Sequence, residues 1–512
     1  MARSIGGPAS QGVRALVVLV IVGGLLAAGC AATRLKRSLH SVAEVQTLDR
    51  RSPYLKVHAK DGQLYVLSEW RVDEAARLIS GRGERLSLAR ETLEAGALSV
   101  SLDDVAIVET NVVQRSPAIA ALAVVTGISV AVTAFCIADP KACFGSCPTF
   151  YVDGAPGAPV HAEGFSSSVS PSLEARDVDA LYRARPGSDG VVTVTMKNEA
   201  LETHVVRHVK LLAAARPRGG RVLATLEGEF RHATDIRALE ACDAEEGDCR
   251  SRVRAFDGVE RFSVTDGEDL ARREIIELRL PRTEGDRGLV VASRQTLAST
   301  YLFYQSLAYL GRSAGDTLAA LERGDRTVGS AFDRLQRVVG GIQVAIETDD
   351  GTWSTIGQIR EMGPLASDVL VVPLPPGGTG RVRLLLARGH WRLDYLASVR
   401  LGPRAQPDVL EPSSVRDAAG RSITRGSLTT LPGDTYIYRF QVPRGPAREL
   451  FLDSRGYYLE WMREEWLADE NPLRAAQLFL NPEQLLRDIA PEFKRQEARM
   501  ETLFWRSRYA RQ

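Results

Sequence analysis

Most of the chain alternates apolar and polar residues with the period of a β-strand. The runs at residues 54–59 and 64–67 flank Lys60-Asp61-Gly62-Gln63, and two such runs around Asp-Gly predict a hairpin. Gly, Pro and Asp-Gly turns separate the later runs at the spacing of a sandwich or barrel. The further predicted strands are residues 99–109, 149–152, 191–196, 221–230, 274–280, 342–346, 369–372 and 382–386.

Two stretches change to the helical period. Residues 296–321 carry Leu297, Tyr301, Tyr304 and Leu307 on one predicted helix face. Near the end of the chain, Asn471-Pro472 and Asn481-Pro482 are each an N-cap residue followed by proline, which is typical of a helix start. We therefore predict an α+β fold of predominantly antiparallel strands in β-sandwich-like modules, with a central helical stretch and a helical C-terminus.

The same pattern divides the chain into seven predicted segments. They are a signal peptide at 1–29, a tether at 30–50, a small β domain at 51–115, a hydrophobic segment at 116–139, a β-rich domain ending in a helix at 140–335, a β-sandwich-like domain at 336–445 and a helical region at 446–512.

The hydrophobic segment contains no charged residue from Pro117 to Ala138, a run of 22 residues. A helix of that length would be about 33 Å long, enough to span a bilayer. Because the segment contains many alanines and several threonines and serines, it is less hydrophobic than a typical transmembrane helix. In addition, helical bundles do not normally cross an outer membrane. We favour a buried or interfacial segment over a transmembrane one.

The N-terminus predicts export and lipidation. Arg3 and Arg14 precede an apolar run that ends in Leu26-Ala27-Ala28-Gly29-Cys30, the composition of a secretory signal peptide. A cysteine after small residues resembles the bacterial lipoprotein signal, which implies that Cys30 is the lipidated mature N-terminus. Several acyl chains anchor stably where one does not. Ala31 follows instead of Asp, and by this resemblance we expect an outer-membrane protein facing the periplasm or the cell surface.

The charge of the chain excludes a basic nucleic-acid binder. Removal of residues 1–29 takes away two arginines and no acid, so the formal charge falls from +1 to −1. A nucleic-acid-binding protein would carry a strongly basic total or a basic face. The partners we expect are the membrane, through Cys30, and another envelope protein or a polysaccharide.

The remaining cysteines suggest disulfides, because bridges persist in the periplasm. Cys242 and Cys249 bracket an acidic loop and are predicted to close a hairpin. Three residues separate Cys143 from Cys147 on a predicted loop, so a structural bridge is favoured over a redox pair, which usually has two intervening residues. Cys136 is expected to be a buried free thiol, or to pair with one of these two and leave the other unpaired.

The string Cys143-Phe144-Gly145-Ser146-Cys147-Pro148 resembles a family of bacterial lipoproteins that has no assigned activity. The resemblance extends to residues 164–168, 198–204, 302–304 and 391–395. It implies a lipoprotein and transfers no catalytic residue.

No catalytic, cofactor or metal motif is predicted. His204 and His208 have the spacing of a helical zinc pair, but the surrounding residues read as a strand, which holds them too far apart to chelate one ion. Trp391, Trp461 and Trp466 are candidate contact residues for a partner. We expect a lipid-anchored envelope protein with a binding or scaffolding role. The alternatives are an envelope enzyme, either a thiol oxidoreductase using Cys143 and Cys147 or a hydrolase with unrecognised acids, and an assembly factor for membrane proteins.

Overall fold

The computed structural model describes most of the chain after residue 32 and divides it into two compact units. The described residues are 33–40, 42–59, 63–86, 92–115, 147–152, 159–169, 171–200, 202–282, 285–314, 317, 326–360, 363–423, 426–430, 433–460 and 469–510. Cys30, Cys143, Trp461, Trp466 and residues 117–138 lie outside them. The described part is mostly antiparallel sheet with a few helices, as the period-2 pattern predicts.

The first unit is a single six-stranded antiparallel sheet in the order β1-β6-β2-β3-β4-β5. Its core consists of inward-facing apolar residues such as Leu55, Val57 and Leu67, with Trp70 beside them. A 3-10 helix, Val42–Thr47, contributes Val45 to this core. The strands are β1 (Thr33–His40), β2 (Tyr54–Ala59), β3 (Leu64–Asp73), β4 (Leu78–Leu86), β5 (Thr92–Ser101) and β6 (Val105–Arg115).

The predicted tether at residues 30–50 is wrong over part of its length. Residues 33–40 form β1, which pairs antiparallel with β6 in the register Thr33 with Arg115 and His40 with Val108. Sequence alone does not predict this strand, because the basic residues at 34, 36 and 37 mask its alternation. Its pairing partner is more than sixty residues away.

The described residues of the second unit form four sheets. Its strands are β7 (Thr149–Val152), β8 (Ala162–Glu163), β9 (Ala175–Ala180), β10 (Val191–Lys197), β11 (Glu202–Ala215), β12 (Arg221–Thr225), β13 (Phe230–Ala238), β14 (Ala241–Ala244), β15 (Gly247–Asp248), β16 (Arg273–Arg279), β17 (Arg287–Gln295), β18 (Ile342–Glu347), β19 (Trp353–Ile359), β20 (Asp368–Leu374), β21 (Arg381–Ala387), β22 (Trp391–Arg404), β23 (Asp408–Leu410), β24 (Ser414–Asp417), β25 (Leu428–Thr430), β26 (Thr435–Gln441) and β27 (Arg448–Glu460).

Two five-stranded sheets of this unit share one core. The first has the order β24-β26-β10-β7-β8 and the second the order β23-β11-β27-β9, with β25 also paired to β11. Phe150 and Phe440 from the first sheet pack with Leu211 and Leu452 from the second.

A closed barrel and a six-stranded sheet follow. The barrel strands are ordered β12-β13-β22-β17-β20, and the sheet strands β15-β14-β16-β21-β18-β19. Alternate residues of one barrel strand serve two cores, since Val290 joins a cluster with Phe451 while Val291 joins a cluster with Leu384. This double burial explains why β17 reads as a nearly continuous apolar run.

In the described part of the chain, four helices cover one further core. They are α1 (Leu297–Leu310), α2 (Arg326–Val339), α3 (Pro472–Leu480) and α4 (Pro482–Ala510). Thr296 caps α1 by accepting a hydrogen bond from the Ala298 amide, and Asn471 caps α3 by accepting one from the Arg474 amide. No helix in the part of the chain that the structure describes is long and apolar enough to cross a bilayer.

The predicted boundaries at 335/336 and 445/446 do not separate domains in this structure. Strand β10 pairs with β26, β11 with β27 and β16 with β21, so sheets are built from both sides of each boundary. Local patterning predicts strands but carries no signal for such long-range pairing, which explains the error.

Candidate binding site

A polar cavity of about 340 Å³ opens in the second unit, where the barrel meets the loop after β7. Residues from six separate parts of the chain line it. They are Pro159, Val160, His161, Ala180, Tyr182, Arg183, Phe256, Gly258, Glu260, Arg294, Leu365, Ser367, Arg392 and Asp394.

Strand register places two arginines side by side in the cavity wall. Arg294 of β17 lies directly opposite Arg392 of β22 in the antiparallel ladder. Because side chains alternate along a strand, Leu393 faces the apolar core while Arg392 and Asp394 face the cavity. Residues 391–395 therefore contribute side chains to the apolar core on one face of the strand and to the cavity on the other.

Glu260 bridges these two arginines. Its carboxylate accepts a hydrogen bond from Nε of Arg294 at 2.5 Å and a second one from Nη2 of the same guanidinium. Nη1 of Arg392 donates to Glu260 at 3.4 Å. Nη1 of Arg294 donates to the Pro364 carbonyl at 2.6 Å, so this arginine also fixes the loop before β20. A bidentate arginine–carboxylate pair holds its partners in a defined geometry.

Asp394, two residues after Arg392 on the same strand, fixes the loop at residues 257–258. Its Oδ1 accepts hydrogen bonds from the amides of Gly258 at 3.0 Å and Asp257 at 3.2 Å. Burial raises the pKa of the Asp394 carboxyl. Gly258 has a φ of +85°, a conformation that L side chains rarely adopt, so a glycine is needed at this turn.

An aromatic pair and a third arginine form the mouth of the cavity. The rings of Tyr182 and Phe256 meet edge to face with centroids 5.2 Å apart. The exposed Arg183 lies over Phe256, 4.5 Å from its centroid, and donates from Nη2 to the Phe256 carbonyl at 2.5 Å. The guanidinium of Arg221 covers one face of Tyr182 at 3.5 Å.

The charges of the cavity favour an acidic ligand. Three guanidinium groups line it, against the carboxyl groups of Glu260 and Asp394. Guanidinium groups recognise carboxylate and phosphate in a planar, bidentate geometry. Because strand pairing and hydrogen bonds hold the walls, a ligand would lose little free energy in ordering them.

Exposed apolar side chains continue from the rim of the cavity along the same segment. Val259 is 46% exposed, Phe262 42% and Val264 51%. The guanidinium of Arg392 lies 3.7 Å from the centroid of the Phe262 ring, so cavity and strip are contiguous. This arrangement suits a ligand that combines an acidic group with an apolar part.

The loop 365–367 behind the cavity is held by buried acids. Glu163 Oε2 accepts hydrogen bonds from the amides of Leu365 at 2.6 Å and Ala366 at 2.8 Å. Asp368 Oδ1 accepts one from the Ala180 amide at 2.9 Å. The site is thus supported by carboxylates that stabilise backbone turns.

Cys147 does not form the predicted bridge to Cys143. It is a buried free thiol whose Sγ lies 3.8 Å from Glu163 Oε1. Burial, reinforced by the acids around it, raises the pKa of the thiol well above its ordinary value. A redox-active thiol needs the opposite shift, so the described geometry gives no support to an oxidoreductase at Cys147. Cys143 lies outside the described residues.

The other predicted site residues have mixed outcomes. Cys242 and Cys249 form a disulfide that closes the β14–β15 hairpin. Trp391 is fully buried in the core between the barrel and the six-stranded sheet, so its assignment as a surface contact is wrong. Side chains alternate along β22, so Trp391 and Leu393 face the core while Arg392 and Asp394 face the cavity.

His204 and His208 lie in strand β11 and bind separate carboxylates. His204 Nε2 is 2.9 Å from Glu202 Oε1, and His208 Nε2 is 3.1 Å from Asp453 Oδ1. Burial lowers the pKa of His204 to about 3. Within the described ranges, no cluster of three His, Cys, Asp or Glu side chains is placed to hold a metal ion.

Sequence reasoning missed the cavity residues. Arg294, Arg392 and Glu260 are ordinary charged residues in sequence, and only the β17–β22 register brings them together. The one available signal was the alternation of charged and apolar residues at 391–395. No protein-family model and no curated protein matches this chain.

Proposed function

We propose that the protein is a lipid-anchored component of the bacterial cell envelope that binds a partner through the arginine-lined cavity. The observation that carries the proposal is the cavity itself, in which Arg183, Arg294 and Arg392 surround a space large enough for an acidic group. Lipidation at Cys30 and an outer-membrane location come from the N-terminal pattern of the sequence.

The ligand class follows from the lining. Arg183 at the mouth presents a charge to solvent, while Arg294 and Glu260 hold each other in place. The exposed strip from Val259 to Val264 adds apolar contact area beside that charge. We propose an acidic group on an apolar scaffold, such as an acidic side chain or terminus of another envelope protein.

We further propose that the two five-stranded sheets form a β-sandwich, built from residues 149–215 and 408–460 and therefore not from the segment 336–445 alone, as the sequence predicted. Their common core, with Phe150 and Phe440 facing Leu211 and Leu452, supports this description. The sandwich and the barrel would then act as a rigid frame that presents the cavity.

The function is tested by photo-crosslinking in intact cells. A benzoylphenylalanine residue replaces Val259 at the rim or, as a matched exposed control, Tyr54 in the first unit. We expect a discrete adduct from position 259 only. Arg183→Glu should abolish it, whereas Arg404→Glu, a reversal of an exposed arginine of the same unit, should leave it unchanged.

Equal adducts from both positions, or an adduct that survives Arg183→Glu, would contradict the assignment of the cavity. The absence of any adduct from position 259 in a folded, correctly exported protein would contradict the binding role.

A further inference from the structure

The segment at residues 259–264, on the rim of the cavity, is joined to strand β22 through Arg261. Arg261 and Leu393 form an isolated antiparallel bridge. The Arg261 amide donates to the Leu393 carbonyl at 2.8 Å, and the Leu393 amide donates to the Arg261 carbonyl at 2.9 Å. Both main-chain groups of Arg261 therefore point toward the barrel.

The main-chain groups on either side of Arg261 point the other way. Because the direction of the N–H and C=O groups alternates along an extended chain, those of Glu260 and Phe262 face away from β22. Among the described residues, none of these amides and carbonyls has a hydrogen-bond partner. The side chains of Phe262 and Val264 are 42% and 51% exposed, so this edge of the segment is open to solvent.

An open edge of extended backbone is a template for another chain. In strand addition, a peptide pairs its backbone with such an edge, and its alternate side chains contact the residues beside it. The segment contains neither proline nor lysine, the residues that commonly protect an exposed edge. Phe262 and Val264 are two residues apart, so both side chains lie on the same face of the extended segment.

The arginines of the cavity determine the direction of an added chain. Along this segment the cavity lining includes Gly258 and Glu260 and goes no further. A chain that pairs antiparallel with residues 260–264 therefore brings its C-terminus to the cavity, whereas a parallel chain would bring its N-terminus. The guanidinium group of Arg183 and those beside it attract a carboxylate and repel an ammonium group, which favours the antiparallel direction.

We propose that the cavity and the segment 259–264 together bind the C-terminal end of an extended polypeptide. The terminal carboxylate enters the cavity, and the preceding residues add to the segment as an antiparallel strand. Apolar side chains at alternate positions of this strand contact Phe262 and Val264. The inference rests on the proposed binding function of the cavity and narrows its ligand class to a chain terminus.

Calorimetric titration of the full chain in detergent micelles tests this ligand class. The probe is an N-acetylated pentapeptide of valine, threonine, valine, threonine and phenylalanine with a free C-terminus. Since its backbone pairs with Glu260 and Phe262, it should bind about ten-fold more tightly than N-acetylphenylalanine, or better. The same peptide with a C-terminal amide should bind at least about ten-fold more weakly. Equal affinity of the acid and the amide would overturn the assignment of the terminus.

Backbone N-methylation of the peptide separates strand pairing from side-chain contact alone. In an antiparallel pair, the residue whose side chain lies beside Phe262 also directs its amide toward the segment. Methylation of the central valine amide should therefore weaken binding by about ten-fold or more. Methylation of a threonine amide, the matched control, should leave the affinity within about two-fold. Equal effects at the valine and threonine amides would overturn the pairing.

Failure of this inference and failure of the proposed function give different results. If N-acetylphenylalanine binds and Arg183→Glu abolishes its binding, but the pentapeptide binds no more tightly, the strand addition is wrong and the cavity assignment stands. If neither probe binds, both are contradicted.

Discussion

Two clusters of ionisable groups in the second unit are built in opposite ways. Arg261, which is 2% exposed, donates from Nη1 and Nη2 to Glu274 at 2.9 and 2.7 Å and from Nε to Glu246 at 2.7 Å. Although burial opposes it, hydrogen bonding to Glu246 and Glu274 raises the pKa of Arg261, so this cluster stays charged.

The second cluster consists of acids. Burial, with repulsion from Asp368, raises the pKa of Asp177 to about 6. Burial, with repulsion from Asp177 and Asp368, raises the pKa of Asp179 well above its ordinary value. The hydrogen bonds that the structure gives Asp177 and Asp368 come from backbone amides such as Phe165 and Ala180. Carboxylates therefore stabilise the fold where a cation pairs with them and oppose it at neutral pH where acids face each other.

The largest effect is expected from breaking the paired cluster. Glu274→Ala should lower the free energy of unfolding by about 3 kcal/mol, because it removes the buried partner of Arg261 and leaves Glu246, which is 49% exposed, as the remaining carboxylate. Chemical denaturation followed by circular dichroism measures the change. A loss below about 1 kcal/mol would mean that Arg261 is not held as the structure places it.

Removal of the disulfide should have the next largest effect. The hairpin that Cys242 and Cys249 close also carries Glu246, the second partner of Arg261. Cys242→Ser with Cys249→Ser should cost about 2–3 kcal/mol, the value for a loop of this length. The same denaturation assay applies, and an unchanged midpoint in the double variant under oxidising conditions would refute the bridge.

The acid cluster predicts a stabilising substitution whose effect depends on pH. The folded-state pKa of Asp177 lies above its unfolded value, so its contribution is fully present below about pH 4 and is lost as the pH rises through about 6. Since the side chain is partly exposed, Asp177→Asn should stabilise the protein by about 1–2 kcal/mol at pH 8 and have little effect at pH 4. Denaturation at both pH values measures the difference.

Asp453, on the neighbouring strand β27, is the matched control for Asp177, because its pKa is shifted in the opposite direction. Although burial opposes the shift, hydrogen bonds from His208 and Arg176 lower the pKa of Asp453. Its contribution is therefore present above the unfolded pKa and lost on acidification. Asp453→Asn should destabilise the protein at pH 8, and a stabilising result would contradict the comparison.

The smallest effect is expected at an exposed ion pair. Asp248 and Arg250 are bonded at 2.7 Å, but both side chains are about half exposed. Solvent and salt screen such pairs. Asp248→Asn should leave the unfolding midpoint within experimental error, whereas a large loss would show that burial is not what distinguishes the Arg261 cluster.

The positions of the strands can be predicted from the sequence better than the way in which the strands pair. Alternation identified β2, β3, β10 and β18 because each has one apolar face, and proline after asparagine located the starts of α3 and α4. The pairing of β10 with β26 had no local signal, because about 240 residues separate them. Strand β1 was missed because its basic residues read as a tether.

The site was predictable only in fragments. The hairpin of Cys242 and Cys249 could be expected from its short spacing, whereas the cavity needs the register of β17 against β22. Residue type alone misleads at Trp391. A tryptophan can form part of a binding surface, but this one packs in the core because the polar face of its strand is occupied by Arg392 and Asp394.

The central claim is that the cavity accepts an acidic group through its arginines. Ligand-observed NMR with N-acetylphenylalanine and its methyl ester tests it, because the two probes share one scaffold and differ in the carboxylate charge and a single methyl group. We predict binding of the acid, at least ten-fold weaker binding of the ester, and loss of binding of the acid in Arg183→Glu but not in Arg404→Glu. Equal binding of both probes, no binding of the acid, or binding that survives Arg183→Glu would contradict the account.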